Sequence, residues 1–239
     1  MKSAMKKTCQ PRVKICCIGS PEESAVAIEC GASALGLVSH MPSGPGVIAE
    51  NRIAEIAAGI PPGVASFLLT CKQDVEDIVA QHRRCRTNCI QLCDRLNSGS
   101  YEQLKDLLPG IAIVQVIHVV GLASVDEAVA VAPRVDAILL DSGNPALAVP
   151  ELGGTGRTHD WTYSQMVREL VDIPVYLAGG LRPENIEAAI EEVGPFGVDL
   201  CSGVRTEGRL DRAKLDRFFE RVRSAAGPAP LESFKYREV

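Results

Sequence analysis

Short apolar runs alternate with amphipathic stretches eight times along this chain, and this alternation limits the possible folds more than any other feature. The apolar runs predict strands at residues 13–18, 34–39, 65–70, 89–93, 112–119, 137–140, 175–178 and 198–201. The amphipathic stretches predict helices at residues 21–30, 49–58, 74–84, 101–108, 125–132, from about 160 onwards, 183–193 and 212–223. Repeated strand–helix units favour a parallel sheet with right-handed crossovers. Eight such units predict a single-domain α/β fold, the (β/α)8 barrel.

Three glycine clusters separate this fold from its main alternative, an open doubly wound sheet. Gly-Gly-Thr-Gly at 153–156, Ala-Gly-Gly at 178–180 and Ser-Gly-Val at 202–204 follow predicted strands six, seven and eight. A doubly wound sheet usually has its phosphate turn after the first strand, whereas a barrel commonly binds phosphate after its last strands. Glycine also lets backbone amides approach an anion closely. The clusters therefore favour a barrel that binds a phosphorylated small molecule.

Composition and charge narrow the possible partners of this chain. The formal net charge of −5 over 239 residues argues against nucleic-acid binding, and hydrophobic residues, at 46%, are sufficient for a full core. No apolar run approaches the roughly 20 residues that span a bilayer, and no signal peptide is evident. We expect a cytoplasmic monomer or homodimer, with an N-terminal extension at 1–11, the barrel at 12–226 and a C-terminal tail at 227–239.

The nine cysteines do not predict a disulfide framework, because their number is odd and most lie in apolar runs. Cys85, Cys89 and Cys93 are four residues apart, which would suit a metal site on a helix. Residues 89–93 read as a strand, however, and a strand would not gather the three sulfurs. We therefore expect no metal site.

Catalytic groups in a barrel project from the carboxyl ends of its strands. Cys16 lies near the end of the first predicted strand and Asp141 follows the sixth. Lys14 shares the strand face of Cys16, and a lysine is costly against an apolar helix layer, so this face is expected to point into the barrel. Cys17 is expected to face the helices as a small core residue. A thiolate and a carboxylic acid across a barrel mouth can remove one proton and donate another, as an aldose–ketose rearrangement requires.

Several motifs together resemble the phosphoribosylanthranilate isomerase family, and the resemblance covers roughly residues 12–223. They are Lys14-Ile15-Cys16, Gln91-Leu92, Leu140-Asp141-Ser142 and the blocks at 153–161, 177–185 and 197–204. The resemblance implies a (β/α)8 barrel and the Amadori rearrangement of N-(5-phosphoribosyl)anthranilate to 1-(2-carboxyphenylamino)-1-deoxyribulose 5-phosphate, in tryptophan biosynthesis. It implies no metal and no organic cofactor.

The same resemblance assigns roles to individual residues. Cys16 is implied as the general base at sugar C2, and Asp141 as the general acid that protonates the ring oxygen. The implied phosphate-binding residues are Gly154, Thr155, Gly156, Gly179, Gly180, Ser202 and Gly203. The further candidates for substrate contact are Lys14, Gln91, Cys93 and Arg52.

Three departures from the family pattern leave alternatives open. Cys17 stands where the family usually has glycine, and Cys93-Asp94 stands where it commonly has His-Gly. The loop at 41–46 lacks the family's arginine for the anthranilate carboxylate, and Arg52 is the nearest one in sequence. Loss of a charge-assisted contact costs about 1.5–3 kcal/mol. A divergent enzyme for another phosphorylated sugar conjugate, and a non-catalytic barrel that binds a phosphorylated ligand, therefore remain as alternatives.

Overall fold

Eight parallel strands close into a barrel in the computed structural model, which describes residues 10–226. The strands are β1 (Arg12–Ile15), β2 (Ala34–Val38), β3 (Ala65–Thr70), β4 (Cys89–Leu92), β5 (Ala112–His118), β6 (Ala137–Asp141), β7 (Val175–Leu177) and β8 (Gly197–Leu200). The helices are α1 (Pro21–Cys30), α2 (Glu50–Ala58), α3 (Val75–Cys85), α4 (Tyr101–Leu107), α5 (Leu122–Val131), α6 (Trp161–Leu170), α7 (Ile186–Val193) and α8 (Arg212–Ala226). The predicted barrel is confirmed. Between β8 and α8 the chain adds a small hairpin of β9 (Arg205–Thr206) and β10 (Arg209–Leu210).

The barrel closes where β1 pairs with β8. Lys14 is in register with Asp199 and Ile15 with Leu200, and the Cys16 amide continues the ladder by donating to the Leu200 carbonyl at 2.9 Å. Residues from the two ends of the chain therefore meet at a single seam.

Alternation along the strands divides the core into two layers. On β5, Ile113 and Ile117 pack outward against the helices, whereas Val114 and Val116 point into the barrel. Inside the barrel, Tyr176 is surrounded by other apolar and aromatic side chains, among them Phe67 at 6.0 Å between ring centroids. The interior is a packed core, so a ligand can be held only at one end of it.

Local sequence signals explain where most helices begin. The Ser20 hydroxyl accepts from the Glu23 amide at 3.2 Å, and Pro21 is the first helical residue of α1. Asp160 caps α6 in the same way. The fifth helix, predicted from residue 125, starts earlier, at Leu122. The Ser124 hydroxyl donates to the His118 carbonyl at 2.9 Å, which ties the first turn of α5 to the end of β5.

The chain ends that we predicted as separate segments are little described. The predicted tail at 227–239 and most of the predicted extension at 1–11 lie outside the described residues. Within residues 10–226, every helix falls short of the length and apolarity needed to cross a bilayer.

Candidate active site

A cavity opens at the carboxyl ends of the strands and contains most of the residues that the sequence singled out. Cys16, from the end of β1, and Asp141, the last residue of β6, both line it. Of the predicted phosphate-binding and substrate-binding residues, the cavity is also lined by Gly154, Thr155, Gly156, Gly179, Gly180, Ser202, Gln91 and Cys93. β1 and β6 lie on different sides of the barrel, so a ligand in this cavity would lie between the thiol and the carboxyl group.

The three glycine clusters lie against one another at one side of this cavity. A methyl group placed on Gly156 would be 3.6 Å from the Ser202 hydroxyl. One placed on Gly180 would be 2.6 Å from the carbonyl carbon of Arg157. Gly203 does not line the cavity but packs behind it, where an added methyl would be 2.1 Å from the Leu181 carbonyl oxygen. Loops that follow three consecutive strands are therefore in direct contact.

Several backbone amides of these loops have no hydrogen-bond acceptor in the described part of the chain. The N–H groups of Gly154, Gly156, Gly179 and Gly180 donate to no acceptor among residues 10–226. Successive unpaired amides in a glycine-rich turn form a concave site for phosphate or carboxylate. A side-chain contact supports this arrangement, because the Ser142 and Thr155 hydroxyls are 2.6 Å apart and join the end of β6 to the first loop.

The Asp141 carboxyl group is buried and closely surrounded by its neighbours. Its Oδ1 accepts from the Ser142 amide at 2.7 Å. Its Oδ2 lies against Gly153, where a methyl group would be 2.7 Å away and φ is +130°, so only glycine fits. Burial raises the pKa of Asp141 above its usual value, against the opposing effect of the Ser142 amide. The carboxyl group therefore keeps its proton at a higher pH than an exposed aspartate would.

A buried cation lies beside the Cys16 thiol. A methyl group on Gly36 would be 2.8 Å from Cys16 Sγ and 3.0 Å from Lys14 Nζ, so both atoms touch the same backbone position. Lys14 is fully buried and donates to Asp199 at 2.8 Å. Burial by itself lowers the pKa of Lys14, but Asp199 and the neighbouring thiols outweigh it and raise that pKa above its usual value. Lys14 thus lies beside Cys16 and is not among the residues that line the cavity.

Cys17 and Cys201 are cavity residues that the sequence analysis missed. We expected the strand to continue to residue 18 and Cys17 to face the helices, and that expectation is wrong. β1 ends at Ile15, and Cys17 has a φ of +61°, which turns its side chain into the cavity beside Cys16. The available signal was the glycine that the resembling family has at this position, because such a position can require a positive φ. Nothing in the sequence singled out Cys201.

Cys93 and Gln91 lie together in the cavity, as neighbours at the end of β4. The Gln91 amide is 3.8 Å from Cys93 Sγ, and the His118 ring contacts the Cys93 carbonyl at 3.0 Å. Burial raises the pKa of Cys93 above its usual value, so this group remains a neutral thiol.

Arg52, one of the predicted substrate contacts, is not among the residues that line the cavity. It lies on α2, where its guanidinium group contacts Glu55 at 2.7 Å and the Gly19 carbonyl at 3.5 Å. The 41–46 loop itself borders the cavity, through residues that include Met41 and Pro45. Among the described residues, no lysine or arginine lines the cavity, and no group of three or more His, Cys, Asp and Glu side chains is arranged to hold a metal ion.

Solved structures that resemble this barrel include a phosphoribosyl anthranilate isomerase from Thermotoga maritima, with 28% identity and a TM-score of 0.75. That likeness covers 90% of this chain and 99% of the other. Another phosphoribosyl anthranilate isomerase, in complex with reduced 1-(o-carboxyphenylamino)-1-deoxyribulose 5-phosphate, has 26% identity and a TM-score of 0.73, with the same coverage.

Sequence comparison gives the same result. A protein of Methanocella arvoryzae named N-(5'-phosphoribosyl)anthranilate isomerase is 35% identical over 213 residues, which covers 89% of this chain and 98% of that protein. One of the same name from Haloferax volcanii is 33% identical over 218 residues, with 90% and 95% covered. The family model described as N-(5'phosphoribosyl)anthranilate (PRA) isomerase matches residues 13–221. The chain therefore belongs to the phosphoribosylanthranilate isomerase family.

Proposed function

We propose that this chain catalyses the Amadori rearrangement of N-(5-phosphoribosyl)anthranilate to 1-(2-carboxyphenylamino)-1-deoxyribulose 5-phosphate, a step of tryptophan biosynthesis. The observation that carries the proposal is the placement of Cys16 and Asp141 in one cavity with three glycine loops beside them. The proposed enzyme acts in the cytoplasm on a small phosphorylated sugar, as a monomer or a homodimer.

Asp141 acts first in the proposed mechanism, as a general acid. Its protonated carboxyl group donates to the furanose ring oxygen, and the bond between that oxygen and C1 breaks. The lone pair of the anthranilate nitrogen forms a double bond to C1, which leaves an open-chain iminium ion. This step needs a carboxyl group that is still protonated, and the burial that raises the pKa of Asp141 supplies it.

Cys16 acts second, as a general base. Its thiolate removes the proton from C2, and the electron pair of that bond forms a C1–C2 double bond while the iminium nitrogen becomes neutral. The resulting enolamine becomes the ketone by losing the proton of its C2 hydroxyl and gaining one at C1. The reaction is an isomerisation, so it needs no oxidant or reductant. The Lys14 ammonium group lies beside the Cys16 sulfur, since a methyl group on Gly36 would be about equally close to both.

The glycine loops fix the substrate during both steps. Their free amides would bind the 5-phosphate, with Thr155 and Ser202 offering hydroxyls at the same place. A phosphate that is held at one side of the cavity fixes the distance of C1 and C2 from the two catalytic groups.

Replacement of the thiol tests this proposal. Cys16→Ala should lower kcat for N-(5-phosphoribosyl)anthranilate by about 10²–10⁴-fold, the usual contribution of a positioned base, while KM changes little. Cys30→Ala is the matched control, because Cys30 ends α1 near Asp216, at the helix surface. Full turnover by Cys16→Ala would remove Cys16 from the mechanism, as would an equal loss in the control.

A different phosphorylated sugar conjugate is the second candidate substrate. It is favoured by the lack of lysine and arginine among the described cavity-lining residues, because an anthranilate carboxylate would have no cation there. N-(5-phosphoribosyl)aniline, which lacks the carboxylate, separates the two candidates. An enzyme built for anthranilate should prefer the carboxylated substrate in kcat/KM, whereas equal values would favour the second candidate.

A further inference from the structure

Three thiols meet where β1 and β8 end, and we call Cys16, Cys17 and Cys201 the thiol cluster. The β1–β8 ladder pairs Ile15 with Leu200, so the residues that follow them, Cys16 and Cys201, are cross-strand neighbours. Cys17 follows Cys16 directly, all three thiols line the same cavity, and Cys201 packs against the buried cluster that contains Cys16 and Cys17. Adjacent parallel strands are about 4.8 Å apart, within the range of Cα separations that a disulfide spans.

The backbone holds the Cys17 thiol inside this cluster. Its φ of +61° is a conformation that residues with side chains rarely adopt. The Cys17 sulfur is 3.7 Å from the Pro45 carbonyl oxygen, and a methyl group on Gly46 would be 2.9 Å from it, so the 41–46 loop packs directly against the thiol. The catalytic mechanism uses Cys16 and leaves this second, fixed thiol without a role.

Cys201 has the surroundings of a reactive thiol. It is half-buried and lines the cavity, so small solutes can reach it. The hydrogen bond from Cys17 is the main effect that lowers the pKa of Cys201, and the Arg205 guanidinium group adds to it. Arg205 is itself held in place, because it donates to the Cys17 carbonyl at 2.6 Å and pairs with Glu23 at 2.8 Å.

We propose that Cys17 and Cys201 form a peroxide-sensitive modification site, at which hydrogen peroxide converts the two thiols into a reversible disulfide. The Cys201 thiolate attacks one peroxide oxygen, and the O–O bond breaks to give Cys201 sulfenic acid and hydroxide, which is protonated to water. Cys17 sulfur then attacks Cys201 sulfur and displaces the hydroxyl group, which leaves as water with the Cys17 proton. Two thiols are oxidised by two electrons, and one peroxide is reduced to two waters.

The chemistry of the pair suits the order of these steps. While Cys201 is a thiolate, its negative charge keeps the proton on Cys17. Conversion of Cys201 to a sulfenic acid removes that charge, so Cys17 can then lose its proton and attack. The catalytic thiol, Cys16, takes no part in the bond.

Oxidation should also lower turnover, and this part of the inference rests on the proposed function. A disulfide would join the end of β1, next to the catalytic Cys16, to the residue that precedes Ser202 in a phosphate loop. Residues Cys17 and Cys201 both line the cavity. The bond would therefore change the shape of the cavity between Cys16 and the loop that contains Ser202. We expect turnover to fall at least fivefold on treatment with peroxide and to recover with dithiothreitol.

Peptide mapping tests the modification independently of activity. The full chain carrying Cys16→Ala and Cys30→Ser is treated with hydrogen peroxide, alkylated and digested with trypsin, which leaves Cys17 as the one thiol on its peptide. We expect a dithiothreitol-sensitive cross-link between this peptide and the one that contains Cys201. Cys201→Ser should abolish it. So should Cys17→Gly, which relaxes the backbone at this position and whose folding is checked by circular dichroism.

Each result bears on one idea. No cross-link in the peroxide-treated protein, or one that joins Cys201 to Cys16 in the wild-type chain, would overturn the modification site even if turnover is normal. A Cys17–Cys201 cross-link in a protein that does not turn over N-(5-phosphoribosyl)anthranilate would support the modification site and count against the proposed activity. A peroxide-treated wild-type chain that is cross-linked but fully active would overturn the link to turnover.

Discussion

The two sides of the cavity are built on different principles. The side that we propose binds phosphate, called the phosphate side, is formed by the loops after β6, β7 and β8 and presents mainly backbone groups and hydroxyls. The thiol side, formed by the ends of β1 and β4 with the 41–46 loop, presents sulfur atoms above the buried Lys14–Asp199 pair. Backbone recognition depends on the conformation of the chain, whereas the chemistry depends on single side chains. Substitutions on the two sides should therefore affect different kinetic constants.

Loss of the acid should give the largest effect. Asp141→Asn should lower kcat by about 10²–10⁴-fold, because an amide cannot protonate the ring oxygen. The exposed α5 carboxylate of Asp126 gives a matched control, Asp126→Asn, which should behave like the wild type. The measurement is steady-state kinetics with N-(5-phosphoribosyl)anthranilate. A change in KM without a change in kcat would show that Asp141 contributes to substrate binding and is not the general acid.

The same carboxyl group predicts a pH dependence. Its pKa is raised in the folded protein, so the active, protonated form is lost as the pH rises through that value and kcat falls on the alkaline side. The contribution of Asp141 to the stability of the fold also decreases as the pH rises. This group stabilises the fold below its unfolded pKa of about 4 and ceases to do so as the pH rises through the folded value. A profile of kcat against pH that is identical in Asp141→Asn would show that another group is the acid.

The buried ion pair on the thiol side should give the next largest effect. Lys14→Met leaves Asp199 buried without its partner and should lower the free energy of unfolding by about 3–5 kcal/mol. Lys105→Met removes an equally short but exposed pair, with Asp136 at 2.8 Å, and should cost about 0–1 kcal/mol. Urea unfolding measures both. Equal losses in the two variants would show that burial does not increase the contribution of the Lys14–Asp199 pair to the free energy of unfolding.

On the phosphate side, a backbone change should act on binding. Gly180 has a φ of +60°, and an added methyl group would clash with the Arg157 backbone. The left-handed conformation costs a residue with a side chain about 1–2 kcal/mol. Gly180→Ala should therefore raise KM about tenfold with little change in kcat. Gly194 ends α7 with a φ of +61° and nothing within 4 Å, so Gly194→Ala has the same backbone cost away from the cavity. An equal KM increase in both would assign the effect to general loosening of the fold.

The smallest effect is expected for the hydroxyl contact on the phosphate side. Ser142→Ala removes the 2.6 Å hydrogen bond to Thr155, worth about 0.5–1.5 kcal/mol, and should raise KM only a few-fold. A constant kcat in Ser142→Ala would support the division in which the phosphate side acts on binding and the thiol side on chemistry. A fall in kcat by orders of magnitude would contradict this division, because the Ser142 hydroxyl also contacts Asp141 Oδ1 at 3.5 Å.

The fold and the grouping of the three glycine loops at one side of the cavity could be predicted because both depend on repeating patterns. Eight alternating runs allow few topologies, and loops after three consecutive strands must be neighbours in a closed barrel. Cys16 and Asp141 could be placed in the same cavity for a related reason, because both follow buried strands. Strand ends were less predictable. The apolar run at 13–18 gave no sign that β1 stops at Ile15.

The thiol side was less predictable because it depends on single backbone angles and side-chain directions. A φ of +61° at Cys17 breaks the alternation from which we placed it against the helices. Arg52 is close in sequence to the 41–46 loop, but the turn of α2 gives it Glu55, three residues on, as a partner. Cys201 is a neighbour of Cys16 only because β1 pairs with β8 when the barrel closes. The sequence around either residue does not predict the register of that pairing.

The seam between β1 and β8 has a consequence for the synthesis of this protein. Its contacts join residues about 180 positions apart, since Lys14 pairs with Asp199 and Glu23 with Arg205 across sequence separations of 185 and 182. On the ribosome, β1 therefore has only β2 as a partner until β8 has emerged. Closure of the barrel and assembly of the proposed catalytic site should therefore occur together, late in synthesis. A nascent chain stalled before β8 should expose the unpaired edge of β1, which chaperones can bind.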